Sequence, residues 1–244
     1  MIGRIRPWIK LTTFFIVLLG YFIWLMIVFT FSGKNLKRGI RIRRNFCKAA
    51  LKVYNIRVHR TGVPYPRGCL YISNHRSLLD PLVELSILDA YILSKAEVNS
   101  YPLLGKGARE TGVFFVERES DSSRKAAVQA IEKILKSGSQ VLIYPEGTTN
   151  GDDLTSDFRK GAFEVAFNNN IPVVPIMIEY PDPSYYWTLG TLMDYFKRVF
   201  SKPGKHKVII EIGKPITAET KSELVIKTRA QIDSMMIHAR NTRR

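Results

Sequence analysis

Residues 11–33, LTTFFIVLLGYFIWLMIVFTFSG, carry no charge at all. At about 1.5 Å of rise per residue, a helix of this length matches a bilayer core of roughly 30 Å. A secretory signal would have a shorter apolar core followed by a small-residue cleavage site, and neither is evident. An ordinary core helix would show a polar face, and this run has none. The N-terminus is therefore predicted to be a membrane-embedded helix, or a shallow helical hairpin turning near Gly20.

The charge distribution agrees with a membrane partner. Residues 1–79 contain 15 of the 37 Lys and Arg and no Asp or Glu, so the remainder is close to neutral. A nucleic-acid-binding domain would carry its basic excess on the folded domain; here the excess flanks the apolar run, which points to anionic lipid and against nucleic acid. Arg4, Arg6 and Lys10 precede the run, whereas Lys34, Lys37, Arg38, Arg41, Arg43, Arg44 and Lys48 follow it. The heavier flank should stay in the cytoplasm and keep the rest of the chain there. Cys47 and Cys69 match no metal or redox spacing and are read as reduced thiols on the cytoplasmic side of a cell membrane. The expected division is an anchor and basic segment over 1–48 and a catalytic domain over 49–244, with 42–56 as a basic amphipathic helix on the lipid headgroups.

Beyond that helix, strand-like and helical segments alternate. CLYIS, AYILSKA, VFFVER, QVLIYPEG, IPVVPIMIEY and KVIIEIG read as strands. DPLVELSIL, YPLLGKGARE, SSRKAAVQAIEKILKSG, DFRKGAFEVAFNNN and a segment from Thr220 to Arg240 read as helices. The strands are short and apolar on both faces, as a sheet covered on both sides by helices requires. The predicted fold class is α/β, with a mixed, mostly buried sheet flanked by helices.

One stretch, NHRSLLD at 74–80, carries the chemistry. His75 follows a strand, and Asp80 is the first acidic residue of the chain. A separation of five puts them on neither one helix face nor one strand face, so they meet only where the chain turns from strand end to helix start. Asp80 before Pro81 would serve equally as a helix opening, and His75 as a partly buried, satisfied histidine. The functional alternative makes His75 a general base oriented by Asp80. Ser77 is nearby, but no G-x-S-x-G elbow exists, which favours a substrate hydroxyl as nucleophile. His59, His75, His206 and His238 form no metal-binding pair, so no metal is expected.

NHRSLLD resembles the N-H-x-x-x-x-D signature of the glycerolipid acyltransferase superfamily, and further blocks follow in order. SKAEVNSYPLLGKGARETGVFFVER (94–118) is similar to the K-x-E-L…P-x-x-G…G-x-x-F-V-x-R block, and YPEGTTN (144–150) to F-P-E-G-T-R-S. FRKGAF (158–163), IPVVPIMI (171–178) and IGKPI (212–216) resemble the segments that close the domain. The resemblance covers roughly residues 45–220.

It implies a membrane O-acyltransferase without a cofactor, using acyl-ACP or acyl-CoA as co-substrate and a lysolipid as acceptor. His75 would deprotonate the acceptor hydroxyl, and Asp80 would hold His75. Lys95 and Arg118 match positions that bind the acceptor phosphate. Glu146, Gly147 and Thr148 match the turn associated with acceptor binding and site architecture. Arg159 and Lys160 are candidates for the phosphate of the acyl carrier or the headgroup. Thr149 stands where the family has an arginine suited to a phosphate monoester. The expected acceptor is 1-acyl-glycerol-3-phosphate, with lyso-ornithine or a related aminolipid as the alternative. A lipid-binding protein without catalysis is the competing class.

Overall fold

The computed structural model describes residues 2–101, 103–117, 120–188 and 190–242. Helix α1 (Ile2–Ser32) passes straight through Gly20, so the apolar run is one helix and not a hairpin. Its segment Ile5–Ser32 is long and apolar enough to cross a membrane. The chain reverses at Gly33, whose φ of 73° lies in the left-handed region. Asn35 then caps α2 (Leu36–Val53) by accepting from the Arg38 N–H at 3.1 Å. This helix begins earlier than its predicted start at 42. Its apolar face is not free for lipid, because Ile40, Ile42, Phe46, Cys47, Ala50 and Leu51 are buried in the protein. Residue 48, where the sequence divides anchor from domain, lies inside α2.

Among the described residues the sheet has seven strands, in the order β1-β7-β6-β2-β5-β3-β4. They are β1 (Ile56–Thr61), β2 (Leu70–Ser73), β3 (Tyr91–Lys95), β4 (Val113–Val116), β5 (Val141–Ile143), β6 (Val173–Glu179) and β7 (His206–Ile212). β6, β2, β5, β3 and β4 run parallel; β7 is antiparallel to β6, and β1 follows β7 in parallel. The sheet is thus mixed and, at its centre, buried on both faces, as predicted. β1 was not foreseen: IRVHRT shows only Ile56 buried, because it is a charged edge strand.

The helices after α2 are α3 (Asp80–Leu85), α4 (Leu104–Arg109), α5 (Asp121–Lys136), α6 (Gly161–Asn168), α7 (Leu192–Ser201) and α8 (Lys221–Asn241). α5 starts where Ser120 accepts from the Ser123 N–H and ends before Gly138, as its apolar spacing predicts. α7 was not foreseen. The aromatic segment before it buries Tyr185 in the core.

The two sheet faces have separate cores. One combines Tyr71, Leu79, Val83, Ile176, Tyr195 and Phe200 with the inner face of α2, and residues of α1 pack against it. The other lies under α5, α6 and α8, around Ile72, Ile131, Phe163, Met177 and Met236.

Candidate active site

Because β2, β5, β3 and β6 are parallel, their C-terminal ends share one edge of the sheet, where α/β sheets generally build their sites. His75 lies two residues beyond β2, Tyr144 one beyond β5 and Tyr180 one beyond β6, while Lys95 ends β3. Asn74 welds the first of these ends in place. Its side chain donates to the Ile178 carbonyl at 2.9 Å and accepts from the Ile178 N–H at 2.8 Å.

The chain then turns, and His75 and Asp80 meet. His75 Nδ1 lies 2.7 Å from Asp80 Oδ2. The same oxygen accepts from the backbone N–H groups of Arg76 at 2.6 Å and Ser77 at 2.8 Å. Asp80 is the first residue of α3 and makes no capping bond to it; its carboxylate ties the 75–77 turn instead. Oδ1 accepts the Tyr180 hydroxyl at 2.6 Å. Asp80 is fully buried, whereas the His75 side chain keeps 14% of its surface exposed. Engaging Nδ1 fixes Nε2 as the unprotonated nitrogen when the ring is neutral, and this is the form a general base needs.

The imidazole stacks on Tyr144, with ring centroids 4.1 Å apart and planes 13° apart. The hydroxyl of Tyr144 donates to the buried Glu84 carboxylate of α3. Burial pushes the Glu84 carboxyl up to about 8, with the Asp80 charge acting in the same direction. Ser77 is not a nucleophile in waiting: its hydroxyl is buried, 2.5 Å from that of Tyr195.

Glu146 is buried and holds loops together. Oε1 accepts from the His75 N–H at 3.0 Å; Oε2 accepts from Asn150 Nδ2 at 3.1 Å and from the N–H and hydroxyl of Ser156 at 2.9 Å. Gly147 has a φ of 74°, and a Cβ there would meet the Arg159 guanidinium at 2.9 Å, so only glycine lets Arg159 lie over the turn. Thr148, Arg159 and Lys160 are exposed, and the last two precede α6 instead of opening it. Lys95 pairs with Glu97 at 2.5 Å. Arg118 lies outside the described residues.

Arg76 escaped the sequence reading. It is buried, donates to the carbonyls of Asn150 (2.9 Å) and Asp152, and lies 3.7 Å from the buried Glu179 carboxylate. Arg240 of α8 reaches the same carboxylate at 3.0 Å and Asp153 at 2.7 Å. This network straps the loop after Gly147 to the C-terminal helix. Trp187 adds another strap: its N–H donates to the Arg76 carbonyl at 2.9 Å, and its carbonyl accepts the Thr149 hydroxyl. The sequence signal for Tyr180 was its position just past a strand end; Tyr144 also opens the YPEGTTN block, without a role assigned to it there.

Beside α3 lies an apolar cavity of about 150 Å³, walled by Leu18 and Leu25 of α1, Phe46 of α2, Pro81 and Leu85 of α3, and Leu104 of α4. It adjoins the helix that begins with Asp80.

The family model described as Acyltransferase matches residues 55–179, just over half of the chain. A chloroplastic 1-acyl-sn-glycerol-3-phosphate acyltransferase of Brassica napus is 34% identical over 111 residues, 45% of this chain and 32% of the relative. A chloroplastic enzyme of the same description from Arabidopsis thaliana is 30% identical over 168 residues, 68% of this chain and 44% of the relative. The chain therefore spans about a third to a half of the length of these curated relatives. In fold, it is similar to the crystal structure of the 1-acyl-sn-glycerophosphate acyltransferase PlsC of Thermotoga maritima, with a TM-score of 0.67, 19% identity and coverage of 94% of this chain and 97% of that one. With a matched family model across the sheet edge that holds His75, Asp80 and Glu146, the chain belongs to the Acyltransferase family.

Proposed function

We propose that this protein is a membrane-bound O-acyltransferase that moves a fatty acyl chain from acyl-ACP or acyl-CoA to the hydroxyl of a lysolipid, first of all 1-acyl-glycerol-3-phosphate. The observation that carries the reading is the His75–Asp80 pair: Nδ1 is occupied, and Nε2 is left to take a proton. In the proposed reaction, Nε2 removes the acceptor hydroxyl proton as that oxygen attacks the thioester carbonyl. The tetrahedral intermediate collapses with cleavage of the C–S bond, and the imidazolium returns the proton to the departing thiolate. Asp80 orients the imidazole and stabilises its charged form. The cavity beside α3 supports an acyl substrate, since its lining is apolar. The exposed apolar side chains of α1, among them Ile16, Trp24 and Phe31, support attachment to the bilayer in which a lysolipid resides. Cytoplasmic placement of the domain rests on the basic flank after residue 33.

A second acceptor class is favoured by one observation. Thr149 brings no charge, and its hydroxyl is already committed to the Trp187 carbonyl. A lyso-aminolipid such as lyso-ornithine lipid is therefore the alternative acceptor. The test offers purified, detergent-solubilised protein an acyl thioester with lysophosphatidic acid and lyso-ornithine lipid together, and reads the products by mass spectrometry. Phosphatidic acid formed by the wild type and not by His75→Ala supports the first reading; exclusive acylation of the aminolipid transfers it to the second. No thioester consumption with either acceptor removes the enzymatic reading.

A further inference from the structure

Tyr144 and Glu84 lie behind the His75–Asp80 pair, and the chemistry described so far uses neither. Tyr144 covers one face of the imidazole at 4.1 Å, nearly parallel to it, and its hydroxyl reaches into the protein to a carboxylate on α3. Glu84 is wholly buried one helical turn beyond Asp80, and its Oε1 has no hydrogen-bond partner among the described residues. The groups that face it are Asp80 on its own helix, Ser73 at the end of β2 and Tyr144 beyond β5; Tyr180, beyond β6, faces Asp80 and Tyr144 in turn.

We infer that Tyr144 and Glu84 form a positioning pair for His75, in which the hydrogen bond between them fixes the ring that the imidazole stacks on. A ring held only by packing can tilt; one tied at its hydroxyl to α3 moves only with the helix that also carries Asp80. The base and its orienter are thereby referenced to one rigid element, and misplacement of a catalytic group by even an ångström is costly. The pair also couples the site to pH. Glu84 is neutral at pH 7, its carboxyl being raised to about 8 by burial first and by Asp80 second. Its ionisation puts a second negative charge beside the Asp80–His75 pair, which favours the imidazolium over the free base.

The inference rests on the acyl-transfer reading, and wild-type turnover that is lost in His75→Ala establishes that reading before the pair is tested. Tyr144→Phe, Glu84→Gln and the double variant Tyr144→Phe/Glu84→Leu are then compared with the wild type from pH 6 to 9.5, with thermal unfolding measured in the same detergent. Tyr144→Phe is expected to lower kcat about tenfold and to leave the acceptor KM within about twofold, because transition-state geometry is lost and binding is not. The double variant removes both polar partners together, a nearly neutral change in stability for a buried hydrogen-bonded pair, and should keep the lowered kcat, because the bond that fixes the ring is still missing. Wild-type kcat should change through a titration step near pH 8, and that step should be absent from Glu84→Gln. If Tyr144→Phe unfolds, the isosteric Glu84→Gln carries the test through its pH profile. Folded Tyr144→Phe and Glu84→Gln proteins with wild-type kcat and an unchanged profile would overturn the inference and leave the pair as packing.

Discussion

Tyr180, one residue past β6, donates its hydroxyl to Asp80 Oδ1 at 2.6 Å across a sequence separation of 100 residues. Burial first, and the Asp80 carboxylate second, hold this phenol well above its ordinary range, so it remains a donor at any working pH. Tyr180→Phe should lower kcat several-fold by freeing one carboxylate oxygen, with the fold intact because the ring still packs on Tyr185 at 5.6 Å. Steady-state kinetics with circular dichroism checks this; unchanged kcat would show that Oδ1 needs no partner.

Asp80→Asn removes the charge that favours the imidazolium. Oδ2 receives three donors, so the amide oxygen takes that place, and the NH₂ then faces the Tyr180 hydroxyl, which must turn from donor to acceptor. Acyl transfer should drop by about 10² to 10⁴, close to His75→Ala. The assay is turnover on soluble, folded variants.

Glu84 makes stability depend on pH in a definite sense. Its carboxyl is raised from 4.5 to about 8, so between these values the native state binds the extra proton. The unfolding free energy therefore decreases as pH rises through that window; the full contribution is present below 4.5 and gone above about 8. Relative to Glu84→Gln, the wild-type melting temperature should decline from pH 5 to pH 8. Parallel curves for the two proteins would refute the assignment.

The membrane role of α1 is better tested by substitution than by deletion. Leu18, Leu25 and Phe29 are buried against the protein, so removing residues 1–33 would also open the core. Ile16 and Ile23 point outward, at 65% and 49% exposure. Ile16→Lys/Ile23→Lys should keep the fold, since neither side chain is in the core. Each lysine at bilayer depth costs roughly 2.5–3.5 kcal/mol of insertion. Co-sedimentation with vesicles in high salt should fall, and so should activity on bilayer-embedded acceptor relative to detergent-dispersed acceptor. Undiminished co-sedimentation would remove α1 as the anchor.

Thr149→Arg would return the arginine of the family pattern, but it removes the hydroxyl that holds the Trp187 carbonyl. Unfolding measurements should show a loss of about 1 kcal/mol for this variant, and little for Thr149→Ser. Equal stability of wild type and Thr149→Arg would mean that the Trp187 strap contributes nothing.

Local pattern was enough for much of this protein. The uncharged run forces a long apolar helix, and the spacing of α5 and the two-sided apolarity of the strands follow from side-chain period alone. His75 and Asp80 were legible because NHRSLLD resembles a family signature; their spacing alone left a helix opening and a satisfied histidine equally open. Tertiary structure decided what depends on partners distant in sequence. Gly20 reads as a possible turn, but α1 runs through it and bends back only at Gly33. β1 is an edge strand whose exposed residues carry no alternating apolar signal; pairing with β7 alone makes it a strand. Glu146, Arg76 and Thr149 are polar residues whose sequence context suggests substrate contact or surface, and long-range hydrogen bonds turn each into scaffolding. Tyr180 and Glu84 lie in no motif that assigns them a role, and Tyr144 opens YPEGTTN without one. Burial next to Asp80 gives them their chemistry, and burial is a property of the packed chain.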